Sequence, residues 1–416
     1  MKVGRWAVDR IAEQEWWLTW PLVALLALPL RRAVLGLLWL PVLWLVRWLA
    51  FRHPTRRTPV DWPIFGLLFM VPIGCWASVD HALTVQSVIQ LLVGIGLFYA
   101  LVNWAGLDCR RLAWGVAVFV GLGVGLAAIA PLATRWNAAK VFSLPQVYHH
   151  FRQVLPETAN ANVLAGGIVL VLPTTVALTI APRLPNWGRL RGGWFRFPLA
   201  LAAAAQLSIL LLSQSRGAWM AATASLGVVL MLRWPFLLWL TPAVMPGSIV
   251  IMWRIGFRHI ADLVLTTGAL GGLEGRLEVW SRALYAISDF VFTGIGLGTF
   301  GRVIPLLYPY FLIAPDASVP HAHNLLLQVA VDLGLPGLIA YLALLLLMLY
   351  MAVVNIRHYR AAGDGSLWAL SLGLLGSLVA LLGHGMTDAV TWGTKPAFIQ
   401  WLVLGLIVVA YEHTRH

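Results

Sequence analysis

The stretch NLLLQVAVDLGLPGLIAYLALLLLMLYMAVVN, residues 324–355, decides the fold class of this chain. Its apolar part exceeds the roughly 20 residues that a helix needs to cross a bilayer, so it predicts a membrane-spanning helix. The GLPG sequence at 334–337 interrupts the run. Because proline removes a helical hydrogen bond, we expect this helix to bend there or to begin below the membrane surface.

The composition extends this conclusion to the whole chain. Of 416 residues, 60% are hydrophobic and 11% are charged, and the mean hydropathy is +0.82. A soluble domain would have too few charges to cover its surface. We therefore expect an all-α integral membrane protein. The net charge of +13 is interpreted as topology signals and contacts with anionic membrane lipids, and no nucleic-acid partner is expected.

Apolar runs of spanning length divide the chain into about twelve predicted transmembrane helices. Residues 1–256 are expected to hold helices 1–9, residues 257–323 a large loop outside the membrane, and residues 324–416 helices 10–12. The predicted spans are 16–30, 33–51, 60–79, 83–105, 112–133, 161–181, 197–213, 217–232, 235–256, 324–355, 366–387 and 395–412.

The distribution of positive charge predicts that both termini lie in the cytoplasm. An even number of spans places the termini on one side, and cytoplasmic loops carry an excess of lysine and arginine. With the termini inside, seventeen of the 29 lysines and arginines fall on the cytoplasmic side. The number of arginines on the outer side is larger than a topology signal alone would predict.

The outer loop contains a predicted amphipathic helix at 271–289. Its apolar residues recur at helical spacing, so we expect it to lie along the membrane surface or to cap a cavity. Arg276 and Arg282 are six residues apart and fall on different faces, and Glu278 is poorly placed to pair with Arg276. By itself this pattern indicates a solvated helix face.

The segment SQSRGAW, residues 213–219, places Arg216 in a tight turn between two spans. Arginine at a membrane boundary is costly unless it is paired or hydrated. Two interpretations remain open. Arg216 is an interfacial anchor, or it binds an anion together with Ser213, Ser215 and the N–H groups of the next helix.

The segment TGIGLGTFG, residues 293–301, spells G-x-G-x-x-G with Gly296, Gly298 and Gly301. The dinucleotide-binding interpretation fails because no strand precedes it and no βαβ unit surrounds it. A tight turn before a re-entering helix is the better interpretation. Arg302 follows directly, with no motif of its own.

The segment SVPHAHNLLLQ, residues 318–328, places His321 and His323 at the start of a span. A metal pair on a helix prefers a spacing of four residues, and Asp316 is the one acidic residue nearby in sequence, so a metal site is not favoured. The histidines are either interfacial residues without function, or one of them is a general base. Asn324 is positioned to orient a sugar or the imidazole.

The segment HGMTDAVTWGTK, residues 384–395, carries His384 and Asp388 at the outer end of the eleventh span. Their four-residue spacing puts them on one helix face. A helix-end cap or a local pair is the simplest interpretation.

Taken in order, these motifs resemble the O-antigen ligase family. They are SQSRGAW, GRLEVW at 275–280, GIGLGTF at 294–300 and AHNLLLQVAVDLGLPGL at 322–338. The family also includes O-antigen polymerases and bacterial protein O-oligosaccharyltransferases. The resemblance covers about residues 206–365, and the twelve-span plan extends it over the whole chain.

The resemblance implies a glycosyltransferase of the Gram-negative inner membrane with its active site in the periplasm. The donor would be O-antigen on undecaprenyl diphosphate and the acceptor a hydroxyl of lipid A–core oligosaccharide. Arg216 and Arg276 match the family's essential arginines, which would bind the donor diphosphate, and His323 matches its essential histidine. His321, Asn324, Arg282, Arg302 and Asp388 are secondary candidates. No metal or other cofactor is expected, since no Asp-x-Asp site for a metal-bound nucleotide sugar is present.

A transporter or lipid flippase is the alternative from another functional class. Twelve spans suit such a protein, but transporters show paired halves and ionisable residues near the membrane midplane. Here the halves do not resemble each other, and the ionisable residues gather at the outer face.

Overall fold

A computed structural model describes residues 2–26, 28–106, 108–136, 145–148, 151, 159–182, 196–240, 253–254, 273–314 and 317–415. These residues form an all-α membrane protein. Seven helical segments in them are long and apolar enough to cross a membrane: Leu30–Phe51, His81–Ala105, Cys109–Ala133, Ala161–Thr179, Leu325–Ala361, Gly365–Gly385 and Lys395–His413. Asp61–Ala77 and Arg196–Leu212 are shorter apolar helices. The total of twelve spans and the placement of the outer loop in the periplasm stay predictions.

The elements follow one another mostly as up-and-down helices. They are α1 (Lys2–Glu13), α2 (Glu15–Thr19), α3 (Pro21–Leu25), α4 (Leu30–Leu37), α5 (Trp39–Phe51), α6 (Asp61–Ala77), α7 (His81–Ala105), α8 (Cys109–Ala133), β1 (Thr134–Arg135), α9 (Pro145–Tyr148), β2 (Ala159–Asn160), α10 (Ala161–Thr179), α11 (Arg196–Leu212), α12 (Arg216–Arg233), α13 (Leu273–Asp289), α14 (Phe300–Leu307), α15 (Leu325–Ala361), α16 (Gly365–Gly385) and α17 (Phe398–His413). Short 3₁₀ helices occupy Pro235–Leu240 and Lys395–Ala397. The two short strands pair in parallel.

Four mostly buried helices form the centre of the bundle. Helix α7 packs against α17, and α10 packs against α16. Around them, α6 lies along α15, and α12 packs against α16. Helices α4, α5 and α8 leave large apolar side chains exposed, as expected where a helix faces lipid.

The first predicted span, 16–30, is wrong as a single helix. Pro21 begins a new helix, α3, and Pro29 precedes α4. Proline suits the first helical position but cannot continue a preceding helix, so the segment breaks into short pieces. The predicted ninth span, 235–256, begins with a 3₁₀ helix, and most of its remainder lies outside the described residues.

The predicted bend in the long helix is confirmed. Gly334 interrupts α15 with φ 69° and ψ −178°, a conformation that L side chains rarely adopt. The turn before α14 packs into this break. Ile295 N donates to Val331 O at 2.8 Å, and Leu335 N donates to Val291 O at 2.8 Å. The backbone groups beside the break are therefore satisfied within the protein, as a lipid environment requires.

The glycines of the G-x-G-x-x-G sequence build this turn, which confirms the turn interpretation. Gly296 and Gly298 have positive φ angles, which glycine adopts without strain. The buried carboxylate of Asp332 fastens the turn. It accepts hydrogen bonds from Gly298 N at 3.3 Å, Gln328 Nε2 at 2.9 Å and Trp392 Nε1 at 2.9 Å.

At the opposite end of the bundle, a buried ion pair joins the first helices to the core. Arg47 Nη1 lies 3.0 Å from Glu15 Oε2, and Asn103 Nδ2 donates to both Glu15 oxygens at 3.1 Å. The Asn103 oxygen in turn accepts from Arg56 N at 2.8 Å. This network ties the start of α2 and the ends of α5 and α7 together.

Gly334→Ala tests the break. We expect it to lower the free energy of unfolding by about 3 kcal/mol, because alanine is strained at this backbone conformation. Its Cβ would also lie 2.7 Å from Val291 O. Thermal unfolding in detergent measures the effect. Gly121→Ala is the control, since a Cβ at this position of α8 meets nothing within 4 Å. Equal shifts for the two variants would contradict the role of Gly334.

Candidate active site

Four segments separated in sequence meet at one end of the bundle. They are the turn before α12, the start of α13, the loop before α15 and the turn after α16. Their contacts bring His321 and His323 to Asp388, and Arg276 interacts electrostatically with both Asp388 and Arg216. The two motif arginines, the two histidines and the secondary candidate Asp388 therefore form one site.

Asp388 is the centre of this site. Its Oδ1 lies 3.5 Å from His321 Nε2 and 3.6 Å from His323 Nδ1. The two imidazole rings pack edge to face with centroids 4.4 Å apart. His323 Nδ1 faces the carboxylate of Asp388 at a distance just longer than a hydrogen bond. The other ring nitrogen of His323, Nε2, is buried and has no hydrogen-bond partner among the described residues.

The loop that carries the histidines is fastened to the first turn of α15. The Asn324 side chain caps the helix by accepting from Leu326 N at 3.0 Å and Leu327 N at 3.1 Å. Gln328 Oε1 accepts from Ala322 N at 2.7 Å. His323 is held at φ 49°, in the left-handed region, where a non-glycine residue persists only when its surroundings enforce it.

The charge state of the carboxylate follows from its neighbours. Burial alone would raise the pKa of Asp388, but His323 and the adjoining imidazoles His321 and His384 together outweigh burial and hold the pKa below its usual range. Burial lowers the pKa of His321 to about 4, against the opposing pull of Asp388. Near neutral pH the site therefore contains an ionised Asp388 and a neutral His321.

Arg216 reaches the site through a close contact between two turns. It is the first residue of α12, and the next residue, Gly217, packs against the turn after α16. A Cβ at Gly217 would lie 2.1 Å from Thr387 Oγ1, so only glycine permits this approach. The contact sets Arg216 beside the turn that carries Asp388.

Arg276 lies near the start of α13 and is largely buried. Its Nε has no hydrogen-bond partner among the described residues. Burial is the main cause that lowers its pKa, the positive charge of Arg216 adds to this effect, and Asp388 opposes it. A largely buried guanidinium whose Nε has no hydrogen-bond partner among the described residues, and which lies beside a second positive charge, would be stabilised by an anion.

Sequence reasoning missed the support beneath Arg216. Tyr148 Oη donates to Leu212 O at 2.7 Å and accepts from Gln214 Nε2 at 2.8 Å. Gln214 sits in the turn with φ 51°. The tyrosine thus braces the SQSRGAW turn from α9, about sixty residues away in sequence, and no local pattern signals such a contact.

The expected solvated face on α13 is wrong at Glu278. This side chain is buried and accepts hydrogen bonds from Phe311 N and Leu312 N. Arg282 pairs with it at 3.4 Å and donates to Pro309 O at 2.9 Å. Glu278 and Arg282 therefore fasten the segment after α14 to α13, because a buried carboxylate must be satisfied by donors.

The other candidates have different positions. Arg302 is exposed and lies 3.7 Å from Asp80 Oδ2. The Asn324 oxygen caps α15, and its Nδ2 donates to Met386 O at 3.5 Å, while its orientation of a sugar or the imidazole stays a prediction. His384 is buried one turn before Asp388, and its ring nitrogens have no hydrogen-bond partner in the described part of the chain.

His321, His323 and Asp388 are also the residues that are placed to hold a metal ion. Their donor atoms lie within 4.8 Å of one another, and two imidazoles with one carboxylate suit several divalent metals. The sequence did not reveal this set, because Asp388 is more than sixty residues from the histidines. Asp316, the acidic residue considered from sequence, lies outside the described residues.

Comparison with known proteins connects this geometry to a family. A search of curated proteins found no match to the chain. The family model described as O-antigen ligase matches residues 201–342. This span contains Arg216, Arg276, His321 and His323, while Asp388 lies beyond it. Residues 201–342, about a third of the chain, are therefore similar to the O-antigen ligase family.

Proposed function

We propose that this protein is an O-antigen ligase, an inverting and metal-independent glycosyltransferase of lipopolysaccharide biosynthesis. It moves O-antigen polysaccharide from undecaprenyl diphosphate to a hydroxyl of the lipid A–core oligosaccharide. The reaction takes place on the periplasmic side of a Gram-negative inner membrane, with both termini in the cytoplasm. The observation that carries the proposal is the grouping of His323, Asp388, Arg216 and Arg276 at one end of the membrane bundle.

His323 is the proposed general base. Its Nδ1 faces Asp388 Oδ1 at 3.6 Å, so a proton on Nδ1 would be directed at the carboxylate. This tautomer leaves Nε2 with a lone pair to accept the proton of the acceptor hydroxyl. The ionised Asp388 would then stabilise the imidazolium that forms, as a carboxylate does in other His–Asp pairs. Contacts of this kind are often long before substrate binds and shorten in the complex.

Arg276 and Arg216 are the proposed diphosphate site. As the bond between the anomeric carbon and the diphosphate oxygen breaks, the electron pair passes to that oxygen and negative charge grows on the leaving group. Two guanidinium groups stabilise this charge, and they do so more strongly in a site that excludes water. Arginine suits the role because its planar fork binds two phosphate oxygens at once.

Attack from the opposite face of the sugar gives inversion. The acceptor oxygen forms the new bond to the anomeric carbon while the diphosphate departs, and His323 holds the released proton. Undecaprenyl diphosphate is a good leaving group once its charge is stabilised, so the chemistry requires no strong general acid and no metal. Both substrates are anionic lipids, which accounts for the outward-facing arginines that topology does not explain.

A polymerase or a protein O-oligosaccharyltransferase of the same superfamily is the alternative, since these enzymes use the same donor chemistry. The acceptor distinguishes them. Glycan analysis of cells separates the possibilities: loss of a ligase leaves bare core with accumulated lipid-linked polymer, whereas loss of a polymerase leaves core with a single repeat unit.

His323→Ala tests the base. We expect transfer from lipid-linked O-antigen to purified lipid A–core to fall about 10²–10⁴-fold, because the acceptor hydroxyl loses its proton acceptor. In cells that carry this variant, we expect lipid-linked polymer to accumulate while lipid A–core remains without O-antigen. We expect the same result for Arg276→Ala. His358→Ala is the control, since this exposed histidine lies at the other end of α15. Normal capped lipopolysaccharide in the His323 variant would refute the mechanism.

Asp388→Asn tests the positioning of the base. We expect kcat to fall at least about 100-fold, while KM for the donor changes little, because the carboxylate contacts imidazoles rather than the diphosphate. Steady-state kinetics at varied donor concentration measures both quantities. A large rise in KM at unchanged kcat would instead assign Asp388 to substrate binding.

Chelation tests metal independence against the alternative metal set of His321, His323 and Asp388. We expect the purified enzyme to retain its rate after treatment with EDTA and dialysis, because arginines supply the charge that a metal would otherwise provide. A loss of activity that a divalent cation restores would overturn this part of the proposal.

A further inference from the structure

A basic cleft of about 830 Å³ lies at the end of the bundle opposite the candidate active site. One wall is the segment that joins α5 to α6, which carries Arg52, Arg56 and Arg57. The other wall is the end of α17, which carries Glu412 and Arg415. Segments from the two ends of the sequence thus converge on one opening, about 360 residues apart.

The cleft has an excess of positive charge. Four arginines and one glutamate line it, and Arg56 is 3.7 Å from Glu412. No ion pair between Arg52, Arg57 or Arg415 and a carboxylate is present within the described part of the chain. Guanidinium groups that converge without carboxylate partners favour a phosphate, which accepts several charge-assisted hydrogen bonds at once.

An apolar surface adjoins the charged one. Trp48 lines the cleft and is 44% exposed, and the Arg52 guanidinium lies 5.7 Å from its ring centroid. One turn earlier on α5, Leu45 is also exposed, as is Leu49. In a membrane, this face of α5 meets acyl chains. The cleft therefore combines a phosphate-sized positive region with a path for hydrocarbon.

We infer that this cleft binds the phosphate headgroup of an anionic phospholipid, with its acyl chains along α5. A free phosphate ligand would use the arginines and not the exposed apolar face, so the lipid fits both parts of the site. The inference is independent of the proposed function. Because a ligand that binds the folded state stabilises it, the bound lipid would also hold the α5–α6 segment against the end of α17.

The test compares two pairs of arginines at the same end of the bundle. Arg52→Gln/Arg57→Gln removes two charges from the cleft. Arg357→Gln/Arg360→Gln removes two exposed charges at the end of α15 that do not line it. Native mass spectrometry of the full-length protein in detergent measures binding of diphosphatidylglycerol, with phosphatidylethanolamine as the zwitterionic comparison and soluble pyrophosphate as competitor.

We expect the cleft variant to bind diphosphatidylglycerol roughly 10–30-fold more weakly than the unaltered protein, since each arginine near a membrane surface contributes on the order of a fivefold change. The control variant should bind like the unaltered protein. Equal losses in both variants would show general surface attraction and overturn the inference. Unchanged lipid binding in the cleft variant would also overturn the inference. Competition by pyrophosphate at the same concentration as the lipid would overturn it as well. If the double variant does not fold, lipid binding by the single variant Arg57→Gln tests the inference instead.

Discussion

Polar groups between the two ends of the bundle must find their partners within the protein, because hydrocarbon offers them none. This constraint explains why the break at Gly334 is filled by a turn whose backbone bonds directly to α15. It also explains Asp332, a buried carboxylate that receives three donors from three parts of the chain. The break thereby connects the turn before α14 to the core of the bundle.

The same constraint concentrates the chemistry at one end. His321, His323 and Asp388 lie just beyond the ends of α15 and α16, and Arg276 lies near the start of α13. Their arrangement depends on close packing between turns, above all on Gly217 against Thr387. The carboxylate organises the site, because both imidazoles contact the same oxygen of Asp388 and Arg276 interacts electrostatically with it.

The arginines of this chain serve different purposes at the two ends. At the end that carries the candidate active site, Arg276 interacts electrostatically with Asp388 and with Arg216. At the other end, Arg47 is neutralised by Glu15, while the arginines of the α5–α6 segment line an open cleft beside a lipid-facing helix. The first group lies within the residues that match the O-antigen ligase family model, and the second lies outside them.

Sequence alone predicts the membrane class and the limits of most long helices, because hydrophobic run length is a property of a short segment. Local motifs single out Arg216, Arg276 and His323 as candidates, and GLPG predicts either a bend or a helix start below the membrane surface, of which the structure shows the bend, at Gly334. The contacts of Asp388 with the histidines, the burial of Glu278 and the bracing of the arginine turn by Tyr148 arise only in the folded protein. Each of these contacts links residues that are from about thirty to more than sixty positions apart. Their partners are chosen by how the helices pack, which no local pattern records.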